Sequence, residues 1–281
     1  MGFDVRPLSD AIGAEVLGVD LADDISAGTF GQIHDAWFAH KVLLFRDQAI
    51  DHEGQLRFAK LFGAPQVVRT ATHLVGKEQE IMHVSNRPVN GKPGILPEGE
   101  MMFHTDQCYY ERPSRLTMLY AIAIPSAGGN TLFLNTAMAY AALAPDIKTR
   151  IAGLSVTNVY DYDGNPTLRP EELSADAPQF DHPMVIRHPE TGEACLYANR
   201  LMSDHIVDME REESDQLLDT LFRHAEQDAF IYEHNWRVGD LILWDNLSTM
   251  HARTDFDPAE TRTLRRSTVM GDRPLAYEAR A

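Results

Sequence analysis

Cysteine is nearly missing from this chain: Cys108 and Cys195 are the two among 281 residues. That is too few for a disulfide framework, so the small stapled secreted folds are excluded and a reducing compartment is favoured. Long apolar runs are missing too, and none approaches the roughly 18 residues of a membrane span. Positive charge is scarce: 25 Lys and Arg stand against 42 Asp and Glu, a net charge of −17. Nucleic acid and anionic membrane, which need clustered Lys and Arg, are therefore not expected as partners. There is no internal repeat, heptad or low-complexity tract, and no linker rich enough in Gly, Pro and Ser to split the chain. A single domain over residues 1–281 is expected. The opening residues, Met1 to Arg6, lack the charged and apolar regions of a signal peptide, and Arg6 stands where a myristoylation motif wants Ser or Thr. No leader or lipid anchor is expected, and the expected location is cytoplasmic.

What is present is enough apolar material for a substantial core, 44% of residues, in a length that barrels and sandwiches often fill as one domain. Helical signals are few. Ser26 can cap a helix carrying Phe30, Ile33 and Trp37, and Asp51 can cap another that carries Leu56 and Ala59 and stops at Gly63. A third begins near Thr136, and a longer amphipathic one, about Glu210 to Gln227, aligns Leu217, Leu218, Leu221 and Phe222 to pack on a sheet. The rest alternates or runs apolar in short pieces, as in Leu116 to Ile124, Met184 to Arg187 and Leu241 to Trp244, which predicts a mainly β core with flanking helices. Two Pro-rich irregular segments interrupt it. Residues 86–100 lead straight into the chemistry described next and form a candidate lid; Asp161 to Asp181 is the second.

That chemistry begins at His104-Thr105-Asp106. On an extended strand, side chains at i and i+2 share a face, so an imidazole and a carboxylate can aim at one point. A distant His251 would complete a 2-His-1-carboxylate face with about three coordination positions open, the arrangement suited to non-haem Fe(II). A structural zinc site would more often show four closing ligands and use Cys. Further on, Arg262, Leu264, Arg266 and Thr268 share strand parity, which puts two guanidinium groups on one face about 13 Å apart at about 3.3 Å per residue. An enclosed Arg suits a planar carboxylate, held by two parallel charge-assisted hydrogen bonds that Lys would not reproduce. Arg200 would add to this positive site if it turns inward. Cys108 shares parity with Asp106 and is expected inside, as a small hydrophobe.

These motifs, with Gly18-Val19-Asp20-Leu21, Val42 to Gln48, Phe58 to Gly63, Gly128-Gly129-Asn130-Thr131, Trp244-Asp245-Asn246 and Gly271-Asp272-Arg273-Pro274, occur in an order that resembles the taurine dioxygenase and 2,4-dichlorophenoxyacetate dioxygenase family of Fe(II)/2-oxoglutarate-dependent oxygenases. The resemblance spans nearly the whole chain. It implies a double-stranded β-helix (jelly roll), Fe(II) held by His104, Asp106 and His251, and 2-oxoglutarate whose far carboxylate meets Arg262 and Thr131. It also implies O2 as cosubstrate, and Arg266 near the metal and the acidic group of a small anionic substrate. Tyr160 and Met202 fall where the family has substrate-pocket walls, and relatives commonly form homodimers or homotetramers. Taurine enzymes carry a His and a Tyr after the Phe62-Gly63 turn; here the stretch reads Gln66 to Ala71, which argues against taurine itself. Halogenating members of the wider superfamily lack the carboxylate ligand, so Asp106 favours hydroxylation. The implied reaction is hydroxylation of an alkylsulfonate, sulfate ester or aryloxyalkanoate with release of succinate and CO2. A hydroxylase of a free amino acid, a zinc-dependent hydrolase or isomerase on a jelly-roll fold, and a non-catalytic binding relative remain open alternatives.

Overall fold

The computed structural model describes residues 2–67, 74–75, 78–89, 91, 94, 96, 99–161, 173–174 and 176–278. In chain order the first part holds β1 (Asp4–Pro7), β2 (Ala14–Leu17), α1 (Ala27–His40), β3 (Val42–Phe45), α2 (His52–Phe62), β4 (Leu74–Val75), β5 (Glu78–Ser85) and β6 (Met101–His104). The middle holds β7 (Ser114–Ala123), β8 (Thr131–Asn135), α3 (Thr136–Ala142), α4 (Pro145–Ile151), β9 (Ser155–Val159), β10 (Gln179–Pro183), β11 (Val185–Arg187), β12 (Ala194–Leu196) and β13 (Ser203–Ile206). The last part holds α5 (Arg211–Ala225), β14 (Ile231–His234), β15 (Leu241–Asp245), β16 (Thr249–Arg253) and β17 (Thr263–Met270). The chain is mainly β with flanking helices, as its short alternating runs predict. Among the described residues no helix is long and apolar enough to cross a membrane.

The strands form an eight-stranded sheet in the order β1-β2-β3-β15-β7-β17-β5-β4 and a four-stranded sheet in the order β14-β8-β16-β6, with two smaller sheets beside them. Period-2 alternation divides the large sheet's residues between two cores. Leu43 and Phe45 of β3, Leu116 and Met118 of β7, and Leu241 and Leu243 of β15 pack outward against Ile33 and Trp37 of α1 and Phe58 and Phe62 of α2. Val42, Leu44, Leu119, Ala121, Ile242, Trp244 and Leu264 pack inward with Phe133 of the four-stranded sheet and Trp236 beside it. On that smaller sheet's far side, Leu134 and Met250 pack against Leu217, Leu218, Leu221 and Phe222 of α5. The order of layers is therefore helices, large sheet, inner core, small sheet, helix, and the functional side chains lie in the middle layer.

The helix caps fall where the sequence predicts. Ser26 accepts from the Thr29 amide at 3.1 Å, and Asp51 accepts from the Gly54 amide at 2.8 Å. Helix α4, which sequence pattern missed, is seven residues opened by Pro145, too short for an apolar period to show. α2 is fastened by a contact that no periodicity reveals. Gln55, fully buried, donates to the Arg265 carbonyl and Ser267 hydroxyl at 3.1 Å each and accepts from Arg265 Nε at 2.7 Å. Arg265 thus faces outward to α2 while its neighbour Arg266 faces the inner layer.

Candidate active site

His104 closes β6 and His251 sits in β16, and the two are direct cross-strand partners in the antiparallel ladder. Their ring centroids are 4.1 Å apart. Asp106 joins them, and one ligand atom from each of the three lies within 4.8 Å of the others. The route to Asp106 differs from the strand geometry expected. β6 ends at His104, and Asp106 opens a turn through Tyr109 in which Gln107 takes a left-handed φ of 61°. The turn, and not the pleat, brings the carboxylate round to the imidazoles. Cys108 is buried within that turn, beside the Met202 sulfur at 3.5 Å, so its placement inside does not follow from strand parity either.

The donor set fits a divalent metal. The Nδ1 of His104 lies 2.9 Å from the Met102 carbonyl, which favours the Nδ1–H tautomer and leaves the Nε2 lone pair for a metal. His251 Nδ1 is buried and makes no hydrogen bond among the described residues. Burial holds His104 below the ordinary imidazole value, and burial together with the neighbouring His104 holds His251 well below it; both rings are therefore neutral near pH 7. Burial alone would raise the Asp106 carboxyl, but Arg266, His251, His104 and the Thr117 hydroxyl outweigh it and bring it to about 2. Two neutral imidazoles and one carboxylate, with no thiolate among them, suit Fe(II) better than a structural zinc.

Arg266 on β17 places Nη2 2.7 Å from Asp106 Oδ1. Arg262 stands one residue before β17. It is 2% exposed, gives Nε to the Gly129 carbonyl at 2.8 Å, and has no carboxylate partner among the described residues. Burial and the nearby Arg253 charge push its guanidinium down to about 9. A cation so placed favours an incoming anion. Glycine is required opposite it: Gly129 has a φ of 64°, and a Cβ there would come 3.0 Å from Arg262 Cδ and Nε. Thr131 is the direct cross-strand partner of Arg253 on β16, so both face the same layer as His251. Its hydroxyl accepts from the Trp236 indole N–H at 3.0 Å, leaving the Thr131 hydrogen for another acceptor.

The remaining candidates separate. Tyr160 is 46% exposed and lies against Tyr109 with ring centroids 4.7 Å apart. Met202 is buried in the cluster with Cys108, Tyr197 and Leu247. Arg200 does not turn to the site; it forms a two-pronged pair with Glu226, the C-cap of α5, and lies over Phe222. Of the segment 86–100, Asn86 accepts from the Arg262 amide at 2.9 Å and Gly99 accepts from Arg253 Nη2; residues 90, 92–93, 95 and 97–98 lie outside the described residues. So do residues 68–71 of the stretch that departs from the taurine enzymes, and residues 162–172 and 175 of the second irregular segment. Sequence reasoning missed Arg253, Trp236, Tyr109 and Thr117. Arg253 could have been found, two residues beyond His251 on the same strand face, and Thr117 as a lone polar residue in the apolar run of β7. Trp236 carries no such signal.

Residues 4–268 match the family described as "Taurine catabolism dioxygenase TauD, TfdA family". The chain belongs to this family. As a member it is an Fe(II)- and 2-oxoglutarate-dependent dioxygenase, an oxidoreductase that consumes O2, and the zinc hydrolase and non-catalytic alternatives fall away. The chain is 31% identical over 290 residues to pentalenolactone F synthase of Streptomyces arenae, covering 97% of each. It is 33% identical over 279 residues to the (S)-phenoxypropionate/alpha-ketoglutarate-dioxygenase of Sphingobium herbicidovorans, covering 96% of each. A solved structure of AAD-2 in complex with Mn(II) and N-oxalylglycine superposes with a TM-score of 0.83 at 29% identity, over 98% of this chain and 100% of that one.

Proposed function

We propose that the chain hydroxylates a small organic anion of the aryloxyalkanoate, alkylsulfonate or sulfate-ester type, converting 2-oxoglutarate to succinate and CO2. In this reading His104, Asp106 and His251 hold Fe(II), Arg262 and Thr131 take the far carboxylate of 2-oxoglutarate, and Arg266 meets the acid group of the substrate. Tyr160 and Met202 are the candidate pocket walls. The observation that carries the reading is Arg266, partly exposed and 2.7 Å from the Asp106 carboxylate: an acid group held there has its adjacent carbon beside the metal face. The relative named for phenoxypropionate, a carboxylate beside an ether carbon, supports the same class. The two facing sheets are read as a double-stranded β-helix, in one domain over residues 1–281 with 86–100 as its lid. The assembly is read as a homodimer or homotetramer.

Bound iron supplies the oxidising power for the C–H bond. The chain's own residues do the rest. Arg262 and Thr131 fix the cosubstrate's length and direction, since a planar two-pronged guanidinium contact sets orientation as well as affinity. The neutral imidazoles keep their lone pairs directed at one point. Phe133, Trp244 and Leu264, all buried around the site, exclude water. Where the hydroxylated carbon bears an ether, sulfate or sulfonate group, the new hydroxyl loses its proton as that C–O or C–S bond breaks. The products are a carbonyl compound and the released heteroatom fragment.

Succinate formation by the iron-reconstituted enzyme, across aryloxyalkanoates, alkylsulfonates, sulfate esters and amino acids, tests this. One anionic class should stimulate it, and Arg266→Ala should raise the KM for that substrate by about tenfold or more, as expected for loss of a charged hydrogen bond. Stimulation by neutral or zwitterionic amino acids alone, with that KM unchanged in Arg266→Ala, would overturn the substrate reading.

A further inference from the structure

The triplet Trp244-Asp245-Asn246 precedes His251, and none of its members reaches the metal-binding point. Each has a buried hydrogen-bonding task. Asp245 braces the turn that follows: it accepts from the Leu247 amide at 2.9 Å, from the Ser248 hydroxyl at 2.8 Å and from His188 Nε2 at 2.6 Å. Trp244 lays its ring 4.7 Å from that of His251 and donates its indole N–H to Asn246 Oδ1 at 2.9 Å. Asn246 Nδ2 donates to Thr117 Oγ1 at 2.9 Å, and Thr117 donates its hydroxyl hydrogen to Asp106 Oδ2 at 2.6 Å.

The direction of this chain is fixed by chemistry. An indole only donates, so it must meet the amide oxygen of Asn246; that turns the amide nitrogen to Thr117. The Thr117 oxygen, having accepted, sends its hydrogen to the carboxylate. Trp244, Asn246 and Thr117 are each at most 1% exposed, so bulk solvent does not reach the series, and a buried chain of this kind polarises along its length. Trp244 and Thr117 are also direct cross-strand partners on β15 and β7, which anchors both ends in the large sheet.

We propose that Asn246 and Thr117 are positioning residues, which fix the plane of the Asp106 carboxylate and couple it to the segment carrying His251. The proposal rests on the reading of His104, Asp106 and His251 as the metal site. Partners behind a metal ligand typically contribute about 10- to 100-fold in metal affinity.

Mn(II) titration of the full chain, followed by the EPR signal of the free ion, tests it. Thr117→Val keeps the side chain's shape and loses the donor; it should weaken Mn(II) binding about tenfold or more, in a folded apoprotein whose thermal midpoint falls modestly because the Asn246 amide loses its partner. Thr117→Ser, which restores the hydroxyl, should recover the affinity. Asn246→Leu should weaken binding in the parent and add little in the Thr117→Val background, because it acts through that hydroxyl; it also carries the test if Thr117→Val does not fold. Parent-like Mn(II) affinity in Thr117→Val, or an equal loss from Asn246→Leu in both backgrounds, would overturn the proposal while leaving the metal site standing. A parent that binds no Mn(II) overturns both.

Discussion

Arg262 and Gly129 show how a single residue's chemistry depends on what its neighbour lacks. The guanidinium is nearly fully buried with no carboxylate beside it among the described residues, and it fits there because position 129 has no Cβ. Arg262→Ala should weaken 2-oxoglutarate binding about tenfold to a hundredfold, since charged hydrogen bonds contribute about 1.5–3 kcal/mol each. Calorimetric titration of the metal-loaded protein with 2-oxoglutarate checks this, and unchanged affinity would remove Arg262 from its role. Gly129→Ala should raise the 2-oxoglutarate KM several-fold with less effect on substrate KM, because the added methyl displaces the arginine stem and strains a positive φ. Equal changes in both constants would instead indicate general disturbance of the site.

Legibility at the level of elements follows what each signal depends on. Capping is local: Ser26 and Asp51 fall at the starts of α1 and α2 as expected. Asp51→Ala should lower stability by about 1 kcal/mol, the usual contribution of a side-chain cap, read as a lower denaturant midpoint with an unchanged slope. The grouping of His104, Asp106 and His251 was legible from the order of several dispersed motifs, since His and acidic residues are plentiful in the chain, and one ligand atom from each lies within 4.8 Å of the others. Its geometry was not, because the turn at Asp106 depends on Gln107 adopting a left-handed backbone that no sequence period announces. Likewise Thr131 could be named, whereas the Trp236 indole that orients its hydroxyl comes from the loop after β14, over a hundred residues away. Arg200 shows the converse: its sequence leaves an inward turn conditional, and its guanidinium pairs instead with Glu226 at the C-cap of α5.

Across the whole molecule, burial controls the charge state of several imidazoles, three of them in the middle layer between the two large sheets and one, His182, on β10 of a smaller sheet. His104, His182, His234 and His251 all sit below the ordinary imidazole value of 6.5, with burial the leading cause in each. Between those lowered values and 6.5 the unfolded chain binds protons that the folded chain does not, so stability rises with pH across that window. Asp106, held at about 2, contributes its own loss only in much stronger acid. Urea unfolding of the apoprotein should therefore be nearly flat from pH 8 to 6.5 and decline below it. Stability that increases on acidification through pH 6 would contradict the buried neutral imidazoles.

The most direct test of the account follows oxygen atoms. Under 18O2, the iron-reconstituted enzyme turning over a stimulating anionic substrate should place one labelled atom in succinate, and Asp106→Ala should abolish the labelled product. Succinate formed without label, or formed equally by Asp106→Ala, would contradict a dioxygenase built on His104, Asp106 and His251.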